Sequence, residues 1–150
     1  MKKALLLSSI FSMCLLAETI ELHNSPFCGC CKEWEKYMVN KGYKVNSIYD
    51  DDIANFKEKH NIAPKYQSCH TGLVEGYVVE GHVPEDALRW LLDNKPKGII
   101  GISTPGMPIG SPGMEQGNTT EDYPVVLLTE DGLHELYGIY NGHKLITKEK

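Results

Sequence analysis

The chain has 150 residues, 41% of them hydrophobic and 23% charged, a balance that excludes a disordered or fibrous protein and predicts one compact domain. Fifteen basic residues against twenty acidic ones leave a net charge of −5. That balance disfavours a binder of phosphate backbones, which needs a basic face to displace counterions, so no nucleic-acid partner is expected.

The first residues read as an export segment. Met1-Lys2-Lys3 supplies a positive start, Ala4 to Ala17 an apolar stretch, and Glu18 opens a polar continuation, the pattern of a secretory signal with cleavage expected after Ala17. The stretch is too short to span a bilayer comfortably, so no stable membrane insertion is expected after its removal. Lipidation at Cys14 is the lesser reading, because Phe11-Ser12-Met13 lacks a small residue just before the cysteine. Residues 18–150 then form the mature domain, more acidic at about −7 once Lys2 and Lys3 are gone. It keeps Cys28, Cys30, Cys31 and Cys69, and an even cysteine count in an exported protein admits two disulfides.

Thr19 to His23 alternates apolar and polar residues like a short strand, and Asn24-Ser25-Pro26 breaks it before the cysteine cluster. A helix over residues 31–40 follows, with Trp34, Tyr37 and Met38 at helical spacing and Gly42 as its stop. Tyr43 to Tyr49 suits a second strand, and Asp50-Asp51-Asp52 offers an N-cap for a helix ending near His60. The spacing of an EF-hand is missing from that aspartate run. Residues 72–79 read as a hairpin turning at Glu75-Gly76. Pro84-Glu85-Asp86 opens a third helix with Ala87, Leu88, Leu91 and Leu92 as its apolar stripe. Residues 98–117 are rich in Gly, Pro, Ser and Met, which excludes a regular helix and predicts a long ordered or functional loop. Residues 123–129 and 133–140 close the pattern as two strands joined at Glu130-Asp131-Gly132. The order β-α-β-α-β-β-α, with C-x-x-C between first strand and first helix, is the thioredoxin or glutaredoxin arrangement.

The chemistry concentrates in four places. Cys28 and Cys31 form a C-x-x-C where a helix begins, and there free N–H groups and the helix dipole favour the thiolate. Cys30 lies between them, either as a further sulfur ligand or packed into the core as a small hydrophobe. Cys69-His70 precedes the hairpin, where a thioredoxin-type protein carries a proline facing its redox cysteines. A fourth thiol and an imidazole would then face the C-x-x-C; the plain alternative is a structural disulfide from Cys69 to the cluster. Met107 and Met114 occupy near-duplicate Pro-Gly-Met settings, and a thioether is a poor zinc ligand and a good Cu(I) ligand. His82, at the end of the second hairpin strand, is a ligand or a strand cap. His23 is a weaker candidate, and His60, His134 and His143 read as surface residues. Trp34, Trp90 and the tyrosines read as core and rim.

Taken together, the motifs Cys28-Gly29-Cys30-Cys31-Lys32-Glu33-Trp34, Ser68-Cys69-His70-Thr71, Val79-Glu80-Gly81-His82-Val83-Pro84 and the Pro-Gly-Met loop from Pro105 to Glu115 resemble those of the CopG-like family of bacterial periplasmic copper-resistance proteins. The resemblance spans roughly residues 19–140. It implies a thioredoxin-like α/β fold with a mixed central sheet, flanking helices and the long Pro/Gly/Met loop, located in the periplasm. It also implies several copper ions in a cysteine-bridged cluster that changes oxidation state during detoxification. Cys28, Cys31 and Cys69 would be the thiolates, with Cys30 in the same motif and His70, His82, Met107 and Met114 completing the shell. Other periplasmic copper-handling proteins, or an electron donor or acceptor, would be its partners. The competing reading is a periplasmic thiol-disulfide oxidoreductase with Cys28 as nucleophile and Cys31 as resolving thiol. A structural zinc or disulfide-stapled module accounts for the cysteines and not for the methionines.

Overall fold

The structure is a computed structural model that describes residues 17–148; residues 1–16 of the expected signal segment, Cys14 among them, lie outside that range. The elements run β1 (Thr19–Asn24), α1 (Gly29–Asn40), β2 (Lys44–Tyr49), α2 (Ile53–Lys59), a 3-10 turn (Pro64–Tyr66), β3 (Thr71–Val74), β4 (Tyr77–Glu80), α3 (Glu85–Asn94), β5 (Ile99–Ser103), β6 (Asp122–Thr129), β7 (His134–Asn141) and β8 (Lys144–Lys148). Eight strands form one sheet in the order β2-β1-β3-β4-β5-β6-β7-β8. The pairs β1 with β2 and β4 with β5 are parallel and the other neighbours antiparallel. The α/β architecture with a mixed sheet and flanking helices is therefore present.

Local chemistry sets the boundaries. Cys28 caps α1, its sulfur accepting from the Cys31 N–H at 3.3 Å. Gly42 at φ 99° lets the chain leave the helix in a conformation costly to other residues. Asp52 caps α2 by accepting from Asn55 N–H, and Glu75 and Gly76, both at positive φ, make the tight turn between β3 and β4.

Alternation along the strands divides the core between two faces. Ile20, Leu22, Val79, Ile102, Val125 and Leu127 join Trp34 and Met38 of α1 and the predicted α3 stripe on one face. Val78, Val126 and Leu128 join Ile62 and Tyr66 on the other.

Two strands depart from the sequence reading. Residues 99–103, expected within the Pro/Gly loop, form β5 between β4 and β6. Their apolar residues serve both faces, Ile99 and Ile102 one and Ile100 the other, and Gly101 lies so close to the Val78 backbone that no side chain fits there. Beyond Tyr140 the chain turns at Gly142 and adds β8 to the sheet edge. Among the described residues no helix is long and apolar enough to cross a membrane.

Candidate metal centre

Three loops meet at the N-terminal end of α1. The β1–α1 connection brings Cys28 and the first turn of α1 brings Cys30 and Cys31, the segment before β3 brings Cys69 and His70, and the turn after β4 brings His82. The sulfurs of Cys28, Cys30, Cys31 and Cys69 all lie within 4.8 Å of one another, as do the ligand atoms of Cys69, His70 and His82. Cys69 belongs to both groups, so six of the eight predicted residues converge on one sulfur-centred site.

Cys28 and Cys31 are joined as a disulfide, whereas Cys30 and Cys69 are free thiols. The alternatives of two disulfides, or of a Cys69 staple, are thereby corrected: Cys69 Sγ rests 3.5 Å from Cys31 Sγ and 3.8 Å from Cys30 Sγ without a bond. Cys30, half-buried, touches Cys28 Sγ at 3.5 Å, so it is not core packing. Cys31 is fully buried and Cys28 is partly open to solvent. The disulfide must be reduced before these two sulfurs can serve as thiolate ligands.

His82 lies beyond the end of β4, fully buried, and its Nδ1 is 2.8 Å from the Pro112 carbonyl. A carbonyl accepts only, so Nδ1 carries the proton and Nε2 presents its lone pair to Cys69 Sγ at 3.1 Å. A backbone carbonyl holding the far nitrogen of an imidazole is the outer support that metal-binding histidines use. His70 is fully buried as well; its Nδ1 lies 3.3 Å from Cys69 Sγ, and its Nε2 has no partner. Burial, with His82 and Lys57 nearby, holds the His70 imidazole well below its ordinary pKa, and burial lowers that of His82. Both rings are therefore neutral and able to donate a lone pair. Burial first, and Cys30 second, push the Cys69 thiol up to about 12, so an incoming metal must displace its proton. Thiolates with neutral imidazoles make a soft, mixed donor set suited to copper, and the orphaned His70 nitrogen is a buried lone pair or N–H awaiting a partner.

The Pro-Gly-Met loop is a strap over this site. Gly106 N–H donates to Gln67 O at 3.1 Å and its own carbonyl accepts from the Ser68 hydroxyl. Pro112 holds His82, and Gly113 packs against the first turn of α1, where a Cβ would meet Trp34 N at 2.6 Å and Cys30 O at 3.0 Å. Met107 is 55% exposed on the strap, and Met114 is half-buried at its end with its N–H on Ser111 O.

The remaining histidines are engaged elsewhere. His23 lies between Asp50 at 3.3 Å and Glu21 at 3.1 Å and stacks on Phe56. His60 contacts Phe56 O, His134 the Tyr66 hydroxyl, and His143 pairs with Glu115 at 2.6 Å.

Four residues support the site: Trp34, read as core, Thr71 and Glu80, which stand in the quoted motifs without a role, and Lys57, which escaped the sequence reading. Trp34 sits 4.7 Å from the His70 ring and donates its indole N–H to Val83 O, tying α1 to the His82 turn. Beneath the Cys69 segment, Lys57 and Glu80 form a buried ion pair at 2.5 Å, joined by Thr71, whose hydroxyl donates to Glu80 at 2.6 Å. The one local sign of Lys57 is its position a turn after Ile53, on the inward stripe of α2, which does not by itself reveal its partner.

A family model described as a protein of unknown function, DUF411, matches residues 66–114, which contain Cys69, His70, His82 and the strap. No curated protein matches the chain. Two solved structures, described as copper resistance protein CopG in form 2 and form 1, are each 37% identical to it, with TM-scores of 0.79 and 0.78. The matches cover 83% of this chain and 99% and 98% of theirs. By identity over nearly the whole length of those structures, and with the cysteine and histidine motifs gathered into one site, the chain belongs to the CopG-like family.

Proposed function

We propose that residues 18–150 are a thioredoxin-like, periplasmic copper-binding domain, exported by removal of residues 1–17, that serves copper resistance. In its reduced form it holds more than one copper ion in a cluster bridged by Cys28, Cys30, Cys31 and Cys69, with His70 and His82 as nitrogen donors and Met107 and Met114 as thioether donors. The observation that carries this reading is the convergence of three further sulfurs and two buried imidazoles around Cys69. Thiolates favour Cu(I) and imidazoles also tolerate Cu(II), so a mixed shell supports passage between the two states. Copper is the cargo; a periplasmic electron donor or acceptor and other copper-handling proteins are its partners.

The test is anaerobic addition of Cu(I) to the fully reduced mature protein, with stoichiometry read by native mass spectrometry and elemental analysis. Tight binding of more than one copper per chain is expected, lost in Cys69→Ser because that sulfur belongs to both ligand groups. Met107→Leu/Met114→Leu should weaken Cu(I) binding; unchanged affinity removes the methionines from the shell. Because copper displaces thiol protons, affinity should fall as the pH is lowered from about 7.5 to about 5.5.

The Cys28–Cys31 disulfide at the start of α1, with Cys28 the more open sulfur, favours a second reading as a thiol-disulfide oxidoreductase. Rapid reduction of a disulfide substrate together with absent copper binding would establish it instead.

A further inference from the structure

We infer that the free pair Cys30 and Cys69 is a two-electron dithiol that reduces Cu(II) to Cu(I) within the chain. This inference rests on the copper reading above and assigns the source of the electrons.

The two free thiols are the only cysteines among the described residues that retain electrons to give while Cys28 and Cys31 are bonded. Their sulfurs are 3.8 Å apart, within contact distance, and both residues are half-buried rather than sealed. Closing a disulfide requires the sulfurs to approach to about 2 Å, a movement of the same size as the remaining gap. Each sulfur also abuts the existing disulfide, Cys30 against Cys28 and Cys69 against Cys31, at 3.5 Å. A Cu(II) ion arriving beside Cys69 meets the His82 lone pair as well, a nitrogen donor that accepts the oxidised metal before any electron moves.

The balance is closed. Two Cu(II) ions each accept one electron and become Cu(I); the Cys30 and Cys69 S–H bonds break, one S–S bond forms between them, and two protons leave to water. The oxidised chain then carries two disulfides and needs an external dithiol reductant before a second round.

The experiment uses the mature protein with its Cys28–Cys31 disulfide intact, in the absence of oxygen, and adds Cu(II) as a simple salt. Loss of the Cu(II) paramagnetic signal from two ions per chain is expected, with both alkylatable thiols consumed. The intact mass should fall by two hydrogens and the chain should stay monomeric on a non-reducing gel. Cys30→Ser and Cys69→Ala should each lower the Cu(II) reduced to half or less, any remainder appearing with covalent dimers formed by the single thiols of two chains, and with no new intramolecular disulfide. Persistence of the Cu(II) signal with both thiols surviving overturns the inference, and so does thiol loss through covalent dimers. A parallel addition of Cu(I) to the fully reduced protein separates the two readings: tight Cu(I) binding without Cu(II) reduction defeats the dithiol alone and leaves the copper-binding function standing.

Discussion

Lys57→Met should lower the folding stability by about 3–5 kcal/mol, read as a fall in the urea midpoint, because it strands a carboxylate in the interior. Glu80 is fully buried and Lys57 is only 3% exposed. Glu80 accepts from the Lys57 ammonium at 2.5 Å, the Ser68 N–H at 2.6 Å and the Thr71 hydroxyl at 2.6 Å. Burial already pushes the Glu80 carboxyl above its ordinary range, and Lys57 is the strongest influence pulling it back. Without Lys57 the folded carboxyl rises further above its unfolded value. A group raised in the fold stabilises it when protonated and loses that contribution as pH climbs through its folded pKa. The variant should therefore be most destabilised at about pH 8 and recover part of its stability at about pH 5. Lys57→Met/Glu80→Gln, which removes both charges, should be less damaged than Lys57→Met alone; equal or greater damage would show that packing, rather than the stranded charge, sets the cost.

The same network explains why the sequence disclosed the site more readily than what holds it. The first strand, the α1 core residues Trp34 and Met38, the β3–β4 hairpin and the α3 stripe are all legible because local period and turn chemistry agree with burial. The convergence of Cys69 on the C-x-x-C was legible from motif order along a β-α-β-α-β-β-α chain. Lys57 defeats that logic: a charged residue on an inward stripe is legible only to a reader who knows that Glu80, on another element, waits opposite it. Strand β5 was hidden for a related reason. Its glycine is dictated by the close approach of Val78, a neighbour that the local composition of residues 98–117 cannot reveal. The pairing state of the cysteines is likewise tertiary, since four sulfurs within 4.8 Å admit several bonds, of which the structure holds one.

The strap carries the other large effect. Gly113→Val should weaken Cu(I) binding about 10–100-fold, the usual range when the outer support of a metal-binding histidine is lost. Gly113 has φ +84° and no room for a side chain, since its Cβ would meet Trp34 N at 2.6 Å and Cys30 O at 3.0 Å. Both are backbone atoms of a helix whose core face is fully packed, so the strap has to move instead. Movement there withdraws the neighbouring Pro112 carbonyl from His82 Nδ1. The imidazole then loses the contact that fixes its tautomer and aims Nε2 at Cys69. Gly117→Val is the control: it has φ +60° with nothing within 4 Å of a Cβ, so it bears a backbone penalty of about 1–2 kcal/mol without displacing Pro112. Affinities measured by competition with a Cu(I) chelator should separate the two variants, with only Gly113→Val weakened. If Gly117→Val weakens binding equally, the loss comes from general loosening of the strap, and Pro112 does not position His82 for copper.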